Sequence, residues 1–463
     1  MLNSTIRRPR LVRRRRLWCI AMAVALLAPV SLVVRAQTVT PIPGTQPAQP
    51  VVLPSILLPR TPRPMPPQRP WVPGDRAENV AAMTVEFEAL CDRVLAAARV
   101  PGLAAALVKD GKVISVRGIG VADTGTRAPV GVDTVFRMAS LSKAFAATTV
   151  GLLVERGQLG WNDPVRDFVP SFELKDTFGN DRLTLRDVLS HRTGLPANSL
   201  DRVVEAGVGY PELVRQLRTV TGDCAVGSCY AYQNVAFSAS GDLIYAATGD
   251  FYSEWAERLM FSPLGMRTAS FGLDALERSP DWARPHIRRG TGFVAIAPKP
   301  TYYRLAPAAG VNASARDMSA WLLAQLGHRP DVLSRGVLDV IQSPQVQSPY
   351  ERFGSAWRRQ RIADAWYGLG WRVVDYQGHR LVWHAGAVQG FRAVIAMLPD
   401  HDFGMVLMWN AESPVPTGLM PTLMDRYLGL PVVNWLQLDE VERRNLRAAP
   451  RFKSRSVVRP RRR

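Results

Sequence analysis

Strand-forming stretches lie at both ends of this chain's apolar body and helix-forming stretches fill its middle, which restricts the possible folds more than any other feature. Near the start, residues 103–108 and 113–118 flank Lys109-Asp110-Gly111-Lys112, and the Asp-Gly pair there is a hairpin signal. A helical pattern covers residues 80–98, and helical patterns dominate again from 144 to about 326. Strand patterns return at 370–376, 380–384, 391–398 and 403–409, the last two joined by Pro399-Asp400. Strands from both ends need partners, so the expected fold is α/β of the α+β kind. One antiparallel sheet assembled from both ends is covered by helices, with an all-helical region inserted. No internal repeat is visible.

The segments outside that body are of other kinds. The first 16 residues hold seven arginines and no acid, and residues 17–34 form a run of 18 apolar or small residues. A basic stretch followed by an apolar run is an export signal. The run is also at the lower limit for a membrane span, so residues 1–36 are expected to be either a cleaved signal peptide or a retained inner-membrane anchor. The rest of the chain is expected outside the cytoplasm, in the periplasm or an equivalent space. Residues 37–75 carry twelve prolines and read as an extended linker. The folded body is expected over 76–435, with a basic disordered tail over 436–463.

Net charge is +19, of which the first 16 residues supply +7 and residues 443–463 supply +10, leaving +2 for everything between. A body with so little basic excess does not suit nucleic-acid binding. The basic ends suit contact with an anionic membrane or cell wall, or simple solvation. Cys224 and Cys229, with four residues between them, could close a small disulfide loop or remain free. The six histidines are scattered and no zinc-binding spacing occurs, so no metal is expected.

One stretch carries chemistry. Ser140 stands at the mouth of an Ala- and Leu-rich helix, and Lys143 follows three residues later, on the same face one turn on. A serine hydroxyl needs a neighbouring base, and a lysine desolvated at the start of an apolar helix can have its pKa lowered enough to serve. The helix N-terminus adds free N–H groups near any oxyanion. Alone, Ser-x-x-Lys is a common coincidence. Further motifs follow in order: residues 183–196 with Ser190-His191-Arg192-Thr193-Gly194, Tyr232-Gln233-Asn234, Ser262-Pro263-Leu264-Gly265-Met266, Pro307-Ala308-Ala309-Gly310, His384-Ala385-Gly386 and Gly390-Phe391.

Together these resemble the class C β-lactamase family of serine hydrolases, which also holds penicillin-binding DD-peptidases, D-amino-acid peptidases and esterases. The resemblance covers about residues 80–430. It implies Ser140 as the acylated nucleophile, Lys143 as its amine partner, Tyr232 as a proton carrier and Asn234 as the amide that orients Lys143. Whether Lys143 or Tyr232 is the acylation base stays open. It further implies that the N–H of Ala387 joins that of Ser140 as an oxyanion hole, with His384 and Gly386 lining the substrate.

His384-Ala385-Gly386 departs from the Lys-Thr-Gly of many β-lactamases: a mostly neutral histidine replaces a fixed charge, and Ala385 lacks the hydroxyl. A protonated His384 gripping a substrate carboxylate would show as a pH dependence. His191 reads as a hydrogen-bonded helix-end residue, Asn198 as an active-site rim residue, and Asp317 and Trp321 as helix start and core. The expectation is therefore an acyl-enzyme hydrolase needing no cofactor. Its substrates would be D-amino-acid-containing cell-wall peptides or β-lactam-like amides, with a carboxylic-ester hydrolase as alternative. A non-catalytic wall- or membrane-binding module on the same scaffold is the rival from another class.

Overall fold

A computed structural model of the 463-residue chain describes residues 77–175 and 179–448. The segments expected to be an export signal and a proline-rich linker, and the last fifteen residues, lie outside the described residues. No helix among the described residues is long and apolar enough to cross a membrane.

The main sheet has eight strands: β1 (Gly102–Lys109), β2 (Lys112–Gly120), β3 (Val346–Gln347), β4 (Ile362–Tyr367), β5 (Arg372–Tyr376), β6 (His379–Val388), β7 (Phe391–Leu398) and β8 (Phe403–Trp409). Their order across the sheet is β2-β1-β8-β7-β6-β5-β4-β3, antiparallel throughout. The hairpin from the start of the body thus pairs with the last strand, Leu103 opposite Trp409 and Lys109 opposite Phe403, as the two-ended strand pattern requires. The sequence pattern misses β4 and the two-residue β3.

Both faces of the sheet are buried, and the period-2 alternation divides its side chains between two cores. Ala104, Ala106, Val108, Ile395, Val406 and Met408 face the inserted helical region. Leu103, Leu107, Val394, Met405, Leu407 and Trp409 face the outer helices. This is why these strands read as nearly unbroken apolar runs. The outer layer begins with α1 (Ala77–Ala98), which buries Val80, Met83, Phe87, Cys91 and Val94, spaced three or four apart.

On the other face, α2 (Ser142–Glu155) is buried along its length from Ser142 to Leu153, which makes it the axis of the helical region. Beside it lie α3 (Val235–Thr248) and α4 (Ala315–Gln325). Helix α4 opens with Ser314 and Asp317 exchanging side-chain-to-backbone hydrogen bonds in a capping box, so Asp317 is a helix-start residue. Trp321 is 1% exposed and stacks on Phe145 of α2 at 4.0 Å between ring centres. The helical region also contains short strands, among them His286–Arg289 paired with Gly292–Ala295, which its helical pattern hides.

Two boundaries need correction or completion. The outer layer continues through α5 (Leu419–Leu428) to α6 (Leu438–Ala448) rather than giving way to a disordered tail at residue 436. Leu436 and Leu438 are buried, and the Asn445 amide donates to the carbonyl of Ala97 at the end of α1, 2.8 Å away. The arginines of that helix drew it into the tail; its two leading leucines hold it to the body. Cys224 and Cys229 are joined as a disulfide, whereas Cys91 is a buried free thiol whose pKa burial pushes up to about 12.

Candidate active site

Ser140 occupies a short 3-10 turn, Ala139–Leu141, that runs directly into α2. Ala139 has φ +49°, a left-handed conformation costly for a residue with a Cβ, so backbone strain is stored one residue before the serine. Strand β6 lies hard against this turn. A Cβ built on Gly386 would come 2.3 Å from the carbonyl oxygen of Met138, so only glycine allows the strand to approach so closely.

Lys143, in the first turn of α2, is 0% exposed. Its Nζ lies 2.7 Å from Oδ1 of Asn234, 3.1 Å from the carbonyl of Ala308 and 3.4 Å from Oγ of Ser140. A neutral amine has two N–H donors and one lone pair. Two of its neighbours here are acceptors only, and the third is a hydroxyl able to donate. Burial drives the Lys143 pKa well below its usual value, with Arg372 adding to the effect and Asp201 opposing it. Asn234 stands at the N-cap position of α3 but makes no side-chain capping bond; its amide nitrogen donates to Oδ2 of Asp201 at 2.8 Å, which turns its oxygen toward the lysine.

Tyr232 is two residues before that cap. Its ring centre is 4.6 Å from Lys143 Nζ, and Ser140 is among the groups that pull its phenol pKa down. Burial pushes the phenol up to about 12, against the pull of Arg372, so the hydroxyl keeps its proton at neutral pH. The ring is held by its neighbours. His191 lies 4.4 Å from it, centre to centre, and Asn198 donates its backbone N–H to the Tyr232 carbonyl at 2.7 Å. His191 accepts from the Gln233 N–H through Nδ1 at 3.1 Å and is fully buried, as a packing residue would be. Exposed Asn198 lies beside Tyr232 at the rim.

His384 sits inside β6 and is 0% exposed. Its Nε2 lies 3.1 Å from an Arg372 N–H group and 3.1 Å from the Tyr367 hydroxyl, and its Nδ1 lies 2.9 Å from the Ala385 carbonyl. A guanidinium only donates and a carbonyl only accepts, so the ring is neutral with its proton on Nδ1. Burial, and after it the nearby Arg372 charge, hold its pKa well below the ordinary value. The expected pH-dependent grip of a protonated His384 is therefore corrected: both ring nitrogens are already engaged and the ring carries no charge.

The charge on this side belongs to Arg372, which sequence reasoning missed. Its side chain is 13% exposed, and its Nε lies 3.0 Å from Oε1 of Glu351, which also binds Arg358 at 3.0 Å. Burial works against the guanidinium's charge, but Glu351 and the surrounding tyrosines outweigh it and raise its pKa. A motif-based reading could not find this pair, because Glu351 comes from a short turn far from Arg372 in sequence. The only available sign was the polar residue directly after Trp371, where β5 begins.

Pairing between β5 and β6 ends at Arg372 opposite Trp383, so residues 384–388 of β6 have no strand partner on that side among the described residues. Ala387, exposed, stands on this stretch next to Gly386 and the Ser140 turn. The structure thus gathers Ser140, Lys143, Tyr232, Asn234, His384 and Gly386 around one point, with Ala387 at its open edge. No group of three or more His, Cys, Asp or Glu side chains able to hold a metal occurs among the described residues.

The Beta-lactamase family model matches residues 87–427, most of the body and all of this site. The chain belongs to the Beta-lactamase family. Among curated members it is 28% identical over 361 residues to the unguisins hydrolase ungD' of Aspergillus campestris, covering 74% of this chain and 65% of that protein. It is 24% identical over 352 residues to Protein flp of Staphylococcus aureus, covering 75% of this chain and 66% of that one. The chain therefore spans just under two thirds of these relatives' length. Among solved structures, the octameric penicillin-binding protein homologue from Pyrococcus abyssi matches with a TM-score of 0.66 at 23% identity, over 75% of this chain and 78% of that one. A crystal structure of SurE matches with a TM-score of 0.60 at 22% identity, over 77% and 80%. At these identities the structural likeness shows the fold: a helix-covered antiparallel sheet of the β-lactamase and penicillin-binding type.

Proposed function

We propose that this member of the family is a serine acyl-hydrolase acting through an acyl-Ser140 intermediate on D-amino-acid-containing peptides or β-lactam-like amides. The observation that carries the reading is the placement of Lys143 Nζ 3.4 Å from Ser140 Oγ in a buried setting that lowers the amine's pKa. Ser140 Oγ attacks the carbonyl carbon as its proton passes to Lys143 Nζ. Tyr232, kept protonated by burial, gives its proton to the leaving nitrogen and is resupplied from Lys143. The N–H groups of Ser140 and Ala387 hold the oxyanion, an arrangement in which one donor is worth about 3–4 kcal/mol. Water entering from the open edge of β6 then deacylates Ser140 with Lys143 and Tyr232 reversing their roles. Arg372, the cation nearest His384, takes a substrate carboxylate.

The names of two relatives, an unguisins hydrolase and a penicillin-binding protein homologue, agree with acyl hydrolysis. We place the reaction outside the cytoplasm, on the strength of the basic and apolar pattern of residues 1–36. The test is the intact mass of the full chain after incubation with excess benzylpenicillin, with Ser140→Ala as control. A Ser140-dependent adduct, or Ser140-dependent hydrolysis of the drug, is the expected result. Intact drug and unmodified protein, with Ser140-dependent cleavage of simple esters, would move the assignment to a carboxylic-ester hydrolase. No Ser140-dependent reaction of any kind would leave only the binding-module reading.

A further inference from the structure

A cavity of about 660 Å³, lined by none of the Ser140 site residues, lies along α3 from Ser238 to Ala246. Its floor is closed where Gly241 meets Pro307: a Cβ on Gly241 would come 2.9 Å from the proline Cγ. Tyr210 and Asp242 line its wall, and Tyr245 and Phe251 stand at its mouth. Those two rings are stacked with centres 5.0 Å apart, yet remain 50% and 63% exposed, so they cover little of the body's own core. The size suits a small organic ligand, and the lining is mostly apolar with few polar groups.

Asp242 is the polar group that defines the cavity's chemistry. Its Oδ2 accepts a 2.5 Å hydrogen bond from the Tyr210 hydroxyl, and no ion pair to it occurs among the described residues. The cavity's two arginines are engaged elsewhere. Arg215 holds Glu212 through both Nε and Nη2, and Arg304 donates to the backbone carbonyls of Gly207 and Val208. A partly buried carboxylate lacking a cation, beside aromatic rings, is complementary to an ammonium group. Burial raises the Asp242 pKa, the direction expected of an acid whose counter-ion is missing.

We propose that this cavity is a second ligand site, separate from the Ser140 centre, for small organic ammonium compounds with an aromatic or alkyl body. The ammonium pairs with Asp242 and the apolar body lies against Tyr245 and Phe251. The site does not depend on the reaction assigned to Ser140.

The test is calorimetric titration of the full chain with 2-phenylethylammonium and with its neutral analogue 2-phenylethanol. The amine is expected to bind about tenfold or more tighter than the alcohol, the scale of one charge-assisted hydrogen bond. Asp242→Asn is expected to abolish that preference. Phe251→Ala, a change at an exposed ring that leaves the core intact, is expected to weaken both ligands. Equal binding of amine and alcohol, an amine preference that survives Asp242→Asn, binding indifferent to Phe251→Ala, or no binding of the amine would each overturn the proposal.

Discussion

Lys143 and Arg372 lie against the same ring, their cationic ends 4.6 Å and 5.4 Å from the centre of Tyr232, and their electrostatic outcomes are opposite. Lys143 is surrounded by an amide oxygen, a carbonyl and a hydroxyl, and burial pushes its pKa well below the usual lysine value. Arg372 is nearly as deep, but Glu351 lies 3.0 Å away and it stays charged. Burial disfavours both charges, but the guanidinium, with its higher intrinsic pKa and Glu351 beside it, keeps its proton where the lysine's hold is weakened. One cation becomes a base and the other a fixed positive point, a few ångströms apart, with Tyr232 and His384 between two different fields.

The largest way to break this comparison is Lys143→Arg, which forces a permanent charge into a position where burial disfavours one. The acylation rate followed by intact mass should fall by about 10²–10⁴-fold, the worth of a positioned general base. Near-normal acylation would mean that the proton from Ser140 goes elsewhere. On the other side, Glu351→Gln strands the Arg372 charge and should lower unfolding stability in denaturant by about 3–5 kcal/mol, as breaking a buried pair does. A loss below about 1 kcal/mol, the range of exposed pairs, would show that Arg372 does not need Glu351.

The smallest expected effect is a null result from His384. Its pKa lies well below the ordinary 6.5, so it is already neutral as pH rises from 6 to 7 and loses no proton there. The ratio of kcat/KM between carboxylate and neutral substrates should stay flat across that window. Acidification lowers the rate for both classes alike once Lys143 gains its proton. A fall with rising pH confined to carboxylate substrates would restore a charged His384.

The two sides of the ring also differ in how far the sequence reveals them. Ser140 and Lys143 are one helical turn apart, so spacing alone puts them together, and the Tyr232 and His384 motifs could be added by resemblance. Arg372 and Glu351 meet only through the fold of β5 against a short 3-10 turn, which no local period records. The sheet was legible because both of its faces are apolar and its strands come from both ends. Among the missed parts, β3 is too short and α6 too charged for periodicity to separate from loop or tail, and β4 follows directly on the arginine-rich helix Ala356–Arg361. His384 was read at the right place with the wrong charge, because its neutrality depends on Arg372.

The pairing of β1 with β8 also governs when this site can exist. Ser140 and Lys143 belong to the early part of the chain, His384 and Gly386 to the late part, and Leu103 waits for Trp409. Such long-range closure is slow, because the intervening loop loses its freedom before the contacts that reward it are made. A chain still being synthesised, or cut short before residue 379, holds its serine and lysine without the strand that completes their surroundings. Reactivity is thereby tied to completion of the chain, and the unpaired edge of β1 is the surface at greatest risk of wrong association until then.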